Sequence, residues 1–459
     1  MEDVPFFGKW SVASGRWSVR GEWLVVAGRF SITGRIQKMS EKLQNWARNL
    51  EYGAARVHRP ASVEEVQEIV SRCRKVKALG TRHSFNEIAD TSEDLISMEG
   101  LNRVIGLSSD KKTVTVEAGV RYGELCRYLD DEGCALHNLA SLPHITVAGA
   151  CQTATHGSGV KNGNLSTSVV GLKFVAADES ITSLAQGQDE TFEGAVVGLG
   201  SIGVITELTL AVEPAFTMTQ HVYDKLPIRH LESHFDEIMS CGYSVSLFTH
   251  WTSDSIDQVW VKRKVSDDTL DPLGPDSFGA TPATAKRSPL PDGDAENCTD
   301  QMGEPGRWYD RLPHFRMGFT PSSGEELQSE YFVPRRHAWE AFSAIDELRN
   351  EIAELIQTTE IRAIAADRLW MSPCYEQDCV AIHFTWKKDW VKVSKLLPIL
   401  ETRLARFGGK PHWGKLFTLP PDQLQPLYRR LPAFRDLVKT YDPHGKFRNS
   451  FLDRVVFSS

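Results

Sequence analysis

Apolar and polar residues alternate along Thr113-Val114-Thr115-Val116-Glu117-Ala118, the period-two signature of a strand with one buried face. Upstream the period changes. From Pro60-Ala61-Ser62-Val63-Glu64-Glu65-Val66 the spacing predicts a helix to about residue 73, capped by Ser62, with Glu65 completing a capping box. A short strand, Val76-Lys77-Ala78-Leu79, comes next and runs into Gly80-Thr81-Arg82-His83-Ser84-Phe85-Asn86. Residues 122–132 read as a helix stopped by Gly133, and strands are expected near 169–177 and 203–213.

The texture changes at Glu213-Pro214. Before it, small residues and turns dominate. After it, Val245-Ser246-Leu247-Phe248 and Gln258-Val259-Trp260-Val261 point to longer strands of a second domain. Residues 266–306 carry Pro272, Pro275, Pro282, Pro289, Pro291 and Pro305 and read as a long surface loop. Helices are expected over 336–356 and 390–406. There is no internal repeat and no long low-complexity tract. Strands and helices in mixed order predict an α+β protein rather than a regularly alternating sheet.

Composition narrows the function classes. With 41% hydrophobic and 24% charged residues, the 459-residue chain has the make-up of a globular protein of two or three domains. A net charge of −8 offers nucleic acid no basic surface and gives no reason to expect binding to an anionic membrane. No apolar run has the length of a membrane span. Eight scattered cysteines are too few for a disulfide framework and show no C-x-x-C spacing, so reduced thiols in the cytoplasm are expected. Asn297-Cys298-Thr299 matches a glycosylation sequon of a kind that occurs by chance. Residues 1–39 hold Trp10, Trp17 and Trp23 and stand apart from the rest of the chain. A poorly ordered extension, a start placed upstream of Met39, or a short β-rich appendage would account for them.

Gly198-Leu199-Gly200-Ser201-Ile202-Gly203 matches the dinucleotide fingerprint G-x-G-x-x-G. That mechanism requires a helix to open on the last glycine, because the helix N-terminus holds the pyrophosphate. Val204-Ile205-Thr206-Glu207-Leu208 alternates as a strand instead. A glycine-rich turn entering a strand is the better account.

The chemistry lies elsewhere. Successive backbone N–H groups in the turn after Leu79 can form an anion-binding nest, and the turn carries His83. Residues 144–163 are rich in small side chains, which let a backbone approach a ligand closely. They contain His144-Ile145-Thr146-Val147-Ala148-Gly149 and Thr153-Ala154-Thr155-His156-Gly157-Ser158-Gly159, preceded by Ala140-Ser141-Leu142-Pro143. These segments resemble the vanillyl-alcohol-oxidase-type FAD-binding fold, most closely its alditol (xylitol) oxidase branch. The likeness extends from about Asn45 to Phe451. Gulonolactone-type oxidases are similar over the first half.

The resemblance implies a two-part FAD-binding domain and a sheet-based substrate, or cap, domain. Residues 45–214 would form the first and 215–409 the second, with 410–459 returning to the first. The Asp442-Pro443-His444-Gly445-Lys446-Phe447 motif accompanies that return, as a tight turn before a final strand. The resemblance further implies an FAD joined through its 8α-methyl group to His83. The backbone of Ala78, Leu79, Gly80, Thr81, Arg82 and Ser84 would cradle the pyrophosphate. Ser141, Thr146, Gly149, Thr153, Ala154, Thr155 and His156 would line the flavin, and Ile205 would reach the adenine or ribose side. Arg82 departs from the family, where glycine commonly precedes the histidine. A residue with φ > 0 there would be strained.

In the second half, Thr359-Glu360-Ile361-Arg362-Ala363-Ile364 alternates, so Glu360 and Arg362 share a face. His383 and Thr385 do the same in Val380-Ala381-Ile382-His383-Phe384-Thr385-Trp386. Such a face is either solvated or the wall of a polar pocket. The resemblance selects the pocket. It implies polyol binding by Ser141, Glu360, Arg362, Thr385 and Lys415, with His412 beside the flavin and Gln328 as a further candidate. Arg362 and Lys415 would stabilise alkoxide charge and His383 would accept the proton. Xylitol or sorbitol would be oxidised at a terminal primary alcohol to the aldose, with O2 reduced to H2O2. An aldonolactone oxidase or dehydrogenase of the same fold is the alternative, and Ala140 bears on it, since in some dehydrogenases of this fold an alanine there restricts oxygen access. His144, His156, His383 and His412 lack metal-ligand spacing, so no metal is expected. A monomer is expected.

Overall fold

Strand Val76–Leu79 ends one residue before Gly80, and this fixes where His83 stands. It is an outer strand of a three-stranded parallel sheet, beside Asp94–Ser97 and then Arg56–His58. The computed structural model describes residues 43–266, 273–274, 276–291, 293–319 and 324–458. The expectations for residues 1–39 fall outside this range. Helix Val63–Arg72 begins where its cap predicts. Ser62 Oγ accepts from the Glu65 N–H at 3.3 Å, and the Glu65 carboxylate accepts in return from the Ala61 N–H at 2.8 Å.

A five-stranded antiparallel sheet packs beside it, in the order Val104–Leu107, Thr113–Glu117, Val204–Ala211, Val169–Val175 and Ile181–Ala185. The glycine-rich turn at 198–203 does feed the strand Val204–Ala211, and Gly200 takes φ +61°. The apolar faces of these elements share one core with helix Tyr122–Asp131. Trp413, Phe434, Phe447 and Leu452 belong to the same core, so the end of the chain packs on the first half. The expected final strand is instead the helix Ser450–Val455. Asn449 caps it by accepting from the Leu452 N–H at 2.9 Å, and Phe451, Leu452 and Val455 bury one side.

The second half builds a nine-stranded sheet. Its central strands run in the order Thr217–Pro227, Ser255–Lys264, Ser244–Thr249, Ile356–Ile364, Cys379–Lys387 and Glu326–Pro334, each antiparallel to its neighbour. One face is apolar. Leu247, Ile361, Ile382, Phe384 and Tyr331 pack there against helices Arg229–Ser240, Ala338–Asp346, Arg349–Leu355 and Trp390–Ala405. The opposite face carries the polar residues of the same strands, as a side-chain period of two requires.

Two further expectations change. The helix expected over 336–356 is two helices, because the backbone at Leu348 leaves the helical region (φ −105°, ψ 15°). The proline-rich stretch 266–306 is not structureless: Thr281–Pro282 and Gly306–Arg307 pair with the outer side of Thr217–Pro227. Proline is tolerated at such an edge, where no N–H need be donated. The sequon is a decoy, since Thr299 is buried with its hydroxyl bonded to the Pro313 carbonyl at 2.8 Å. None of the eight cysteines is in a disulfide. Among the described residues no helix is long and apolar enough to cross a membrane.

Replacing Ser62 with alanine removes the cap of helix Val63–Arg72. It should cost about 1 kcal/mol in denaturant unfolding and leave turnover unchanged.

Candidate active site

One cavity runs between the first-half sheets and the polar face of the large sheet. With its open mouth it encloses about 1850 Å³. The turn after Leu79 lines one wall. Arg82 sits there at φ +63°, the left-handed conformation that its departure from glycine raised. Its carbonyl accepts from the Trp46 N–H at 2.8 Å, and its guanidinium donates to the Gln44 carbonyl at 3.0 Å. These contacts hold a conformation that costs a non-glycine residue roughly 1–2 kcal/mol. Among the described residues, the N–H groups of Thr81, Arg82, His83 and Ser84 donate to no acceptor of the chain. That is the arrangement an anion-binding nest needs. Gly80 is required for closeness: a Cβ there would sit 2.4 Å from Thr146 Oγ1.

His83 projects into this cavity. The Trp46 ring lies against its imidazole at 5.5 Å between centroids and 18° between planes. Both ring nitrogens are buried, and among the described residues neither has a hydrogen-bond partner. Burial and the neighbouring His144 push its pKa down to about 4, so the ring is neutral near pH 7. Buried polar atoms are rarely left unpaired without a reason. A neutral imidazole with a free nitrogen facing a long cavity suits attachment to an electrophilic carbon of a cofactor. The N–H groups of the preceding nest suit that cofactor's phosphates. The residues present therefore fit an FAD.

The opposite wall is set by strand register. Glu360, His383 and Glu330 stand side by side on three neighbouring strands. Thr358, Thr385 and Gln328 form the next row, and Arg362 comes after Glu360 on the same face. Lys415 enters from the chain's return. The turn that carries it is tied to the His83 turn: the Phe85 N–H donates to the Gly414 carbonyl at 2.7 Å, and Asn86 Nδ2 donates to the Trp413 and Lys415 carbonyls at 2.9 and 2.7 Å.

Glu330 is the hub. Its Oε1 accepts from Arg362 Nη2 at 2.7 Å and lies 3.0 Å from His156 Nε2. Its Oε2 lies 3.3 Å from His383 Nδ1 and 3.9 Å from Lys415 Nζ. Burial alone would raise this carboxyl, but His156, His383 and Arg362 overcome that and hold it well below its ordinary range. Glu360 is also held anionic, by Arg362 and His314 against its burial. Burial and the Lys415 charge bring His383 down to about 4, so it is neutral near pH 7. Nδ1 lies between the Glu330 carboxylate and the Lys415 ammonium, and Nε2 lies 3.1 Å from Thr385 Oγ1. Lys415, drawn down to about 8 by burial, bonds Gln328 Oε1 and lies 3.4 Å from His383 Nδ1. Arg362 keeps donors to spare: Nη1 reaches Ser141 Oγ only at 3.4 Å, and among the described residues the buried Nε has no hydrogen bond. The wall thus offers two cations, a neutral imidazole and two carboxylates to a ligand rich in hydroxyls.

On the first wall the cavity brings together Ala78, Leu79, Gly80, Thr81, Arg82, His83 and Ser84, with Ser141, Thr146, Gly149, Thr153, Thr155, His156 and Ile205 beyond them. On the second it gathers Gln328, Glu360, Arg362, His383, Thr385, His412 and Lys415. Ala154 is off the wall: at φ +54° it is buried in the first core. Ala140, Leu199 and Gly200 also line the cavity, so the decoy turn forms part of its surface. Sequence reasoning missed Glu330, Trp46 and His314. For Glu330 a signal exists in the alternation Glu326-Leu327-Gln328-Ser329-Glu330-Tyr331, whose even-numbered members all reach the cavity.

Residues 54–185 match the family model of the FAD binding domain, and residues 323–455 match that of D-arabinono-1,4-lactone oxidase. An alditol oxidase of a Streptomyces species is 47% identical over 417 residues, covering 90% of this chain and 99% of that one. The L-gulonolactone oxidase of Mus musculus is 27% identical over 91% of this chain and 98% of its own. Among solved structures, cholesterol oxidase from B. sterolicum superposes with a TM-score of 0.74 at 15% identity, over 92% of this chain and 97% of that one. That likeness speaks for the fold alone.

Glu330→Gln should destabilise the protein by roughly 3 kcal/mol, because it leaves buried cations unpaired. The sign with pH comes from the depressed carboxyl. Its contribution is present above about 4.5 and lost as pH falls through the lower folded value. Denaturant unfolding from pH 7 down to 3 should therefore show a shallower acid slope in the variant than in the parent.

Proposed function

The chain belongs to the alditol oxidase family within the vanillyl-alcohol-oxidase-type FAD-binding group, and on that premise we propose that it oxidises alditols such as xylitol and sorbitol. The reaction is at a terminal primary alcohol and yields the aldose. The observation that carries this reading is the polar row of the large sheet, which faces the unpartnered His83 across one cavity. A polyol offers only hydroxyls. A wall of buried donors and acceptors selects it, because an analogue lacking a hydroxyl leaves one of them unpaired.

His83 holds the FAD covalently on this reading, and the N–H groups of residues 81–84 receive its pyrophosphate. FAD held there would supply the two-electron oxidation, with O2 as the final acceptor, so that RCH2OH and O2 become RCHO and H2O2. The chain's own part is positional and electrostatic. Ser141, Glu360, Arg362 and Thr385 bind and orient the polyol. His383 Nε2 accepts the hydroxyl proton, and Arg362 and Lys415 stabilise the negative charge that develops on the oxygen. On the same reading residues 45–214 form the cofactor domain, 215–409 the substrate domain and 410–459 the return. The chain works as a cytoplasmic monomer on this reading, in keeping with eight cysteines none of which is in a disulfide.

A second reading, oxidation of an aldonolactone, is favoured by the match of residues 323–455 to the lactone oxidase model. The two separate by assay. Acid-precipitated protein should keep its yellow colour in the pellet, and His83→Ala should release it. Xylitol should produce H2O2 at a rate far above that with gulono- or galactonolactone. Colourless pellets from the parent would contradict the tether. Faster turnover of a lactone would contradict the polyol reading, and turnover with a dye but not with O2 would contradict the acceptor.

Lys415 supplies a pH signature. Its ammonium is present below about 8 and lost above it. kcat/KM should fall as pH rises through that value, and Lys415→Arg, which keeps its charge, should move the descending limb upward by at least one pH unit.

A further inference from the structure

Beside Glu360 lie two buried groups, His314 at the cavity wall and Lys262 behind it, to which alditol oxidation as derived above gives no part. Lys262 stands on strand Ser255–Lys264, 1% exposed. Its Nζ donates to the Leu312 carbonyl at 2.5 Å and the Pro313 carbonyl at 3.2 Å, and lies 3.0 Å from His314 Nδ1. An ammonium has three donors and no acceptor, so these three partners saturate it. Burial draws it down to about 7, and the Glu360 carboxylate opposes that. With Nδ1 accepting, the His314 proton sits on Nε2, which donates to Glu360 Oε1 at 2.6 Å. Burial and the Lys262 charge push His314 down to about 4, which keeps the ring neutral and this tautomer in place. The rings of Phe248 and Trp260 meet it edge-on at 5.4 and 5.3 Å, so it has little room to turn. Among the described residues, Glu360 Oε2 accepts no hydrogen bond from the chain. Glu360 itself lines the cavity.

We propose that Lys262 and His314 are positioning residues that lock the Glu360 carboxylate through Oε1, so that Oε2 is presented to hydroxyls of the polyol other than the one being oxidised. The pair thereby sets preference for substrates hydroxylated along the chain. The inference rests on the polyol reading of the cavity. Without Lys262, His314 can move its proton to Nδ1. Nε2 would then turn a lone pair on the carboxylate, and Glu360 would lose its orientation.

The test compares Lys262→Met, His314→Phe and His314→Gln with the parent, all FAD-loaded. It measures kcat and KM for xylitol and the inhibition constant of 1-pentanol, which has no hydroxyl beyond the reacting one. The methionine and phenylalanine variants should raise KM for xylitol roughly tenfold, the loss of one hydrogen bond to a charged group. kcat should change by less than about threefold, and the 1-pentanol constant should not move. His314→Gln, whose amide can donate to Glu360, should recover most of the parent KM. Equal losses for both ligands, or an unchanged xylitol KM, overturn the proposal. Failure of the parent to oxidise xylitol overturns the polyol reading instead. A crystal structure of the Lys262→Met variant then decides the positioning role, which predicts a turned Glu360 carboxylate and is contradicted by an unmoved one.

Discussion

The site depends on a carboxylate taken wholly out of water. Glu330 is bound by His383 from the adjoining strand of the large sheet, by Arg362 from the strand beyond it, by His156 from the first half and by Lys415 from the chain's return. A buried charge costs several kcal/mol unless it is paired and hydrogen-bonded. Each partner must therefore stay in place for the others to be tolerated, and parts of the chain far apart in sequence are locked to one point. That lock is worth little as net stability. Its value is geometric: it points His383 Nε2, the free donors of Arg362 and the Lys415 ammonium into one cavity.

A second lock faces it. The turn bearing His83 is held from above by Trp46 and Gln44, and from the side by the backbone of Trp413, Gly414 and Lys415. The left-handed backbone at Arg82 is the strained element, and it is stabilised by contacts made by Arg82 itself, through its carbonyl and its guanidinium. Of these, the guanidinium bond to Gln44 is the one that glycine would lack. Because Asn86 binds the Lys415 turn directly, the His83 imidazole and the Lys415 ammonium, which line one cavity, are held at a fixed separation. Fixed separation between cofactor and substrate groups is what oriented catalysis requires.

Much of this was legible along the chain, because it depends on local periods and turns. The alternation around Ile361 and Ile382 places Glu360, Arg362, His383 and Thr385 on one face, and the structure packs the intervening residues under helices. The capping box at Ser62 and the glycine-rich turn at 198–203 are equally local. Register is not local. That Glu330 lies beside His383, and His383 beside Glu360, comes from strand pairing over long separations. His314 sits in a proline-rich stretch without any period, and its relation to Lys262 exists only in three dimensions. The helix at Ser450–Val455 was misread because a short apolar run fits a strand as well as a helix.

The central claim is that one cavity holds a polyol between His83 and the row of Glu360, His383 and Glu330. A crystal structure of the FAD-loaded protein with xylitol, prepared without oxygen, tests it most directly. The account predicts electron density continuous from the His83 ring to the cofactor, with a terminal hydroxyl of xylitol within hydrogen-bond distance of His383 and Lys415 and further hydroxyls on Glu360 and Arg362. Xylitol bound outside this cavity, or bound within it with its hydroxyls turned from that row, would contradict it.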